Sequence, residues 1–194
     1  MTLTTTDVSQ FIIQTKNTAE TTVIWTEESV TEKNKKNKTS DAVLCSIRSG
    51  CSSSAQLPSI AIDHPGEYEF KGIFVIGESC ELIHNRAGVF FAVDTEGIRI
   101  LAIPDSIKQP FSQEEYAKIG SVDIIITSTT TESVTTVADI VNQSEPRIVI
   151  TNEHSGVDVF VKKIGLQAER VSKLKVTKKD LPQDRTACYI LTNE

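Results

Sequence analysis

The 194-residue chain has no continuous apolar run near the roughly 20 residues that a membrane-spanning helix requires, which excludes a bilayer protein of that kind. It has no surplus of positive charge either. Lys and Arg number 20 against 26 Asp and Glu, a net charge of −6, whereas phosphate backbones and anionic membranes reward clustered cations. Nucleic acid and membrane surfaces are therefore not its expected partners. The one basic run, at 33–38, is flanked by Thr, Glu and Ser and reads as a solvated loop. Glycine-rich phosphate cradles are missing. Residues 1–7 lack both a basic segment and an apolar stretch, so no secretory leader is read there and the expected location is the cytoplasm.

Cysteine is scarce. Cys45, Cys51, Cys80 and Cys188 form no Cys-x-x-Cys pair, and free, mostly buried thiols are expected. Together with His84, the first three would offer zinc its preferred thiolate and imidazole donors, but at spacings that match no zinc knuckle. Cys45 and Cys188 lie in apolar segments and read as core. Cys51 lies in a Ser-rich loop, and as a nucleophile it would need a base and an oxyanion site that the sequence does not display.

Against these absences stand 39% hydrophobic and 24% charged residues, ordinary values for a folded domain, and a length that suits one domain over 1–194. Most apolar segments are short and β-branched, which predicts strands at 10–15, 22–26, 42–47, 59–62, 66–70, 72–76, 89–94, 98–103, 122–127, 147–151 and 187–191. Three helices are expected. Ser112 to Glu115 has capping-box form, with Gly120 as a stop; Val134, Val137, Ala138 and Val141 share one helix face within 131–143; Val157, Phe160, Val161 and Ile164 repeat that pattern before Gly165. Strand and helix alternate in the second half, whereas the first half reads as hairpins forming a second sheet. The expectation is a strand-rich α/β sandwich of two sheets with outer helices.

One stretch, Asp63-His64-Pro65-Gly66-Glu67-Tyr68-Glu69-Phe70-Lys71-Gly72, combines a Pro-Gly corner with strict alternation. Asp63, His64 and Glu67 could be taken for an acid–base cluster. The structural reading is stronger, because Pro fixes φ, Gly tolerates positive φ, and only one of the pairs Glu67/Glu69 and Tyr68/Phe70 faces a core.

With that corner, the segments Val93-Asp94-Thr95-Glu96-Gly97-Ile98-Arg99-Ile100, Gly120-Ser121-Val122-Asp123-Ile124-Ile125-Ile126, Pro146-Arg147-Ile148-Val149-Ile150 and Leu174-Lys175-Val176-Thr177-Lys178-Lys179-Asp180-Leu181-Pro182 follow in an order that resembles the small metallo-β-lactamase-fold hydrolases of the ascorbate-6-phosphate lactonase-like type. The resemblance implies a small four-layer αββα sandwich. It also implies a metal site at one edge of the two sheets, where a His-x-His-x-Asp-His loop, further histidines and a bridging Asp hold zinc or manganese. Such a metal lowers the pKa of a bound water to make the nucleophile.

Carried onto this chain, the two loop histidines fall on Ile47 and Ser49 and the Asp-His pair on Cys51 and Ser52, none of them a matching ligand. The next His position falls in Gly77-Glu78-Ser79-Cys80-Glu81. The bridging Asp matches Asp105, and the last His falls on Glu153 with His154 one place further. Asp105, Glu153 and His154 are thus the vestigial candidates, and His84 lies in a loop that could reach them. The Thr/Ser run at 127–133, which reads as helix-capping hydroxyls, borders the active site in the resembled family. The expectation is a metal-free, non-catalytic pseudoenzyme acting as a binding, scaffolding or self-assembling protein without a cofactor. Val89-Phe90-Phe91 beside Phe74 is a possible apolar source for association with itself or a protein partner. The alternative is a remodelled or metal-dependent hydrolase of a small ester, lactone or phosphoester.

Overall fold

The computed structural model describes residues 1–7, 10–16, 20–24, 41–47 and 60–192. Strands β1 (Thr2–Asp7), β2 (Gln10–Gln14), β3 (Glu20–Ile24), β4 (Ala42–Cys45) and β5 (Ile60–Ile62) begin the chain. They are followed by β6 (Gly66–Phe70), β7 (Ile73–Leu82), β8 (Arg86–Thr95) and β9 (Ile98–Ile103). Helices then alternate with strands as α1 (Gln113–Ile119), β10 (Ile124–Thr127), α2 (Val134–Ser144), β11 (Ile148–Asn152) and α3 (Val157–Lys163). The chain closes with β12 (Ala168–Val171), β13 (Lys173–Lys175) and β14 (Ala187–Leu191).

Two mixed sheets result, one in the order β13-β1-β2-β3-β4-β5 and the other β12-β14-β11-β10-β9-β8-β7-β6. Alternate residues of both sheets fill the space between them. Leu3, Phe11, Ile13, Leu44 and Ile62 from the six-stranded sheet meet Val75, Phe91, Ile100, Ile126 and Ile150 from the eight-stranded one, all nearly inaccessible to water. The opposite face of the larger sheet contributes Phe90, Leu101, Ile125 and Val149 to a second core under the three helices, with Val137, Ile140, Val141 and Phe160 pointing down onto them. Three layers of the expected αββα arrangement are thus seen directly. Burial of these β-branched and aromatic side chains, at about 25 cal/mol per Å² of apolar surface, is the main driving force.

The helices form where the sequence marks them. Ser112 accepts from the Glu115 amide at 3.2 Å while Glu115 reaches back to the Ser112 amide at 2.6 Å, and Gly120, at φ +69°, ends α1. The assignment of hairpins to sheets differs from expectation. β6 to β9 belong to the same sheet as the βα units, because β9 pairs antiparallel with β8 on one side and parallel with β10 on the other. Among the described residues, β1 to β5 and the returning β13 build the second sheet.

The Pro-Gly corner is where the chain changes sheet. β5 is the edge strand of the six-stranded sheet and β6 the edge strand of the eight-stranded one, so 63–65 cross the sandwich between them. Gly66 takes φ +151°, a region L side chains avoid, and the Tyr68 hydroxyl donates to the His64 carbonyl at 3.0 Å. Asp63 binds the His64 ring, and Glu67 and Glu69 face solvent while Phe70 is buried. At the opposite edge, Ser172 carries the chain from β12 back to β13.

Two further expectations are corrected. Val89, Phe90 and Phe91 are core residues, with 5%, 0% and 0% exposure, and supply no surface patch; Val159 is the exposed large hydrophobic among the described residues. Cys45 is disulfide-bonded, so free thiols are found at Cys80 and Cys188 and not at Cys45. Burial pushes the Cys188 thiol up to about 11; burial, aided by the Glu115 charge, pushes Cys80 up to about 12. Both are poor nucleophiles at neutral pH. Among the described residues no helix is long and apolar enough to cross a membrane.

Candidate functional site

Strands β9, β10 and β11 run parallel, and their carboxyl ends open onto neighbouring loops, the place where open α/β sheets bind ligands. Asp105 follows β9, the run 128–133 follows β10, and Glu153 and His154 follow β11. Ser46 and Ile47 approach from the other sheet: the Val89 amide donates to the Ser46 carbonyl at 2.9 Å, and Ile47 is 5% exposed. Ser49, Cys51 and Ser52, like most of the Ser-rich loop and the basic run at 33–38, lie outside the described residues.

The Asp105 loop is fixed from two sides. The Ile83 amide donates to the Ser106 carbonyl at 2.8 Å and the Lys108 amide to the Glu81 carbonyl at 2.9 Å, which lays the loop along the tip of the β7–β8 hairpin. The Ser133 hydroxyl, fully buried at the start of α2, donates to the Asp105 carbonyl. Ser133 also accepts from the Thr130 amide at 2.9 Å, and its own amide donates to the Thr130 hydroxyl at 3.1 Å. The run expected to cap helix amides thus mostly binds loop groups. Burial holds the Asp105 carboxyl above the usual range, with the Ser106 hydroxyl and the Arg86 charge pulling partly the other way.

His154 is the other polar anchor. Its Nδ1 accepts from the Gly156 amide at 3.1 Å, which places the proton of the neutral ring on Nε2, facing the Thr129 hydroxyl at 3.5 Å. Burial lowers its pKa, opposed by the Glu153 charge. The ring is therefore neutral at physiological pH. Glu153 does not join it: its carboxylate pairs with Arg170 at 2.9 Å, and Arg170 reaches on to Asp158 at 3.1 Å. His84 sits at the hairpin tip with φ +64°, next to the Asp105 loop in the fold but exposed.

The structure thus gathers Asp105 and His154 on one rim, joined through Ser133, Thr130 and Thr129, and turns Glu153 outward to an ion pair. Reading the sequence placed Ser133 only within a capping run beside the site and did not foresee its bond to Asp105; it missed Arg86, whose effect depends on a hairpin far away in the chain. Asp105 and His154 are two donors where a catalytic zinc site needs three protein ligands. No group of three or more His, Cys, Asp or Glu side chains among the described residues is arranged to hold a metal ion. The described residues do not fit zinc or manganese.

Because the fold raises the Asp105 pKa, its contribution to stability is complete below the ordinary carboxyl range and is lost as pH rises through the folded value. Asp105→Asn is therefore expected to melt higher than the parent at pH 7 and level with it at about pH 2.5, where the Asp105 carboxyl is protonated in the folded and the unfolded chain alike. Thermal melts at the two pH values check this.

No family model matches the sequence, and no curated protein matches it. Solved structures do. A protein from Thermotoga maritima assigned to the Zn-dependent hydrolases of the metallo-β-lactamase superfamily superposes with a TM-score of 0.75 over 98% of each chain, at 15% identity. This chain has the metallo-β-lactamase fold. The fold protein YhfI of Bacillus subtilis matches with a TM-score of 0.60 at 7% identity, over 97% of this chain and 95% of its own. Igni18, a metallo hydrolase of the archaeon Ignicoccus hospitalis, gives 0.60 at 8% identity, over 91% and 99%. The mixed α/β, strand-rich sandwich read from the sequence is thereby borne out.

Proposed function

We propose that the chain is a non-hydrolytic, metal-independent protein of the metallo-β-lactamase fold, acting by binding a ligand, a protein partner or a second copy of itself. The carrying observation is how the vestigial residues are used. Ile47 is buried where the resemblance puts a ligand imidazole, Glu153 is paired with Arg170, and His154 Nδ1 is taken by a backbone amide. Each of these side chains is committed to holding the loops. The rim still presents the exposed Thr130 and Thr131 and the half-buried, neutral His154 imidazole, groups suited to hydrogen-bonded recognition. On this reading the chain descends from the lactonase-like branch of the fold and has lost its metal motif.

The test is metal analysis of the full chain purified without chelator, combined with turnover assays on lactone, ester and phosphodiester substrates. Less than about 0.1 equivalent of zinc, manganese or iron, an unchanged Tm with EDTA, and no turnover are expected. One equivalent of metal per chain, or turnover lost in Asp105→Asn, overturns the reading.

A further inference from the structure

At the end of the strands opposite the rim, a cleft of about 420 Å³ opens between the last turn of α2, the end of α3 and the 183–186 segment that leads into β14. That volume lies in the range of small-molecule sites. We infer that this cleft binds a small zwitterion carrying an apolar group, in the class of the apolar α-amino acids.

Three features of the lining point to such a ligand. The floor is apolar: Val141 and Ile164 are buried and Leu166 is half-buried. One wall is negative. α2 ends on Glu145, and the next residue, Pro146, has no N–H with which to close the final carbonyls. By contrast α3 is closed by the Gly165 amide on the Lys162 carbonyl at 3.2 Å and the Leu166 amide on the Val161 carbonyl at 3.3 Å. The end of α2 therefore offers carbonyl dipoles and the Glu145 carboxylate to an ammonium group.

The facing wall holds Arg185, which is exposed and makes no ion pair or hydrogen bond among the described residues, leaving its guanidinium for a carboxylate. Arg147, by contrast, is held by the Pro182 carbonyl and Gln183 Oε1, each at 2.9 Å. With Glu145 and Asp184 also lining this cleft, a bare anion meets repulsion as well as attraction, and a bare cation meets Arg185. A ligand with both charges satisfies both walls. Glu145 also adopts φ +45°, ψ +51°, a conformation strained for any side chain and natural for glycine.

That strain supplies a clean test on the full chain. L-Leucine at about 10 mM is expected to raise Tm by about 3 °C, and 4-methylpentanoate and 3-methylbutylamine, which each carry one charge, by less than half as much. Glu145→Gly is expected to melt above the parent without ligand and to lose the leucine shift, so that loss of binding is separated from loss of folding. Arg185→Gln is expected to keep its melting point and lose the shift. No shift with leucine, an equal shift from either single-charge probe, or a full shift surviving in either variant overturns the inference. The outcome is independent of whether the rim is hydrolytic.

Discussion

Asp123→Ala is expected to cost about 3 kcal/mol, or about 9 °C in Tm for a chain of this size. Asp123 immediately precedes β10 at the end of the sheet away from the rim and joins four segments. Its carboxylate accepts the Arg99 amide of β9 at 3.0 Å and Lys178 Nζ at 2.9 and 2.7 Å, and lies 3.7 Å from Arg147 Nε. Its amide donates to the Arg99 carbonyl at 3.0 Å, and its own carbonyl accepts the Arg147 and Ile148 amides at 2.9 and 3.1 Å. An exposed ion pair contributes little, but this side chain is only 14% exposed and satisfies a partly buried backbone donor. Alanine leaves the Arg99 amide without its acceptor and brings Lys178 and Arg147 together without a counter-charge. Asp123→Asn keeps an acceptor for the amide and is expected to lose about half as much. Urea titration of the two variants measures both values. An alanine variant within about 0.5 kcal/mol of the parent would show that water replaces these bonds at no cost.

The second large effect is expected at Gly77. This residue faces the inter-sheet core opposite Phe91, and a Cβ built there would lie 2.9 Å from the His64 carbonyl oxygen and 3.3 Å from the Phe91 and Val89 side chains. The missing side chain is what lets the crossover corner lie against β7. Gly77→Val places three carbons where one already clashes with backbone, and relief requires moving the corner or Phe91. Overpacking of this kind costs about 3 kcal/mol. Because the strain falls on the corner, amide exchange is expected to rise first at 60–66 and not in the helices. Uniform loosening of the whole domain would contradict that account.

These two residues also mark how far the sequence could be read. Local chemistry was legible: the Ser112 capping box, the Gly120 and Gly165 stops and the alternation after Gly66 all have causes within a few residues. Pairing was not. The turn at 63–65 looks the same whether it joins neighbours in one sheet or edges of two, and only the partners of β5 and β6 decide. β1 carries Leu3 among threonines, and β12 and β13 are short and charged, as edge strands must be to avoid pairing with other chains. Their composition therefore reads as loop. At the rim, Asp105 and His154 could be placed by following the strands, whereas Ser133 acts on a residue 28 positions away through one hydroxyl that nothing local distinguishes.

The place of β13 has a consequence for synthesis. β1 lies between β2 and β13, with Leu3 opposite Leu174, so β1 is completed by a strand made much later than itself. While the ribosome is still producing the middle of the protein, the open side of β1 presents unpaired amides and carbonyls to any other nascent chain. The six-stranded sheet gains its final edge only once residues 173–175 emerge, and closing so long a loop slows folding. Lys173 and Lys175, exposed on the arriving strand, then give the finished sheet a charged border that strands of other molecules do not readily join.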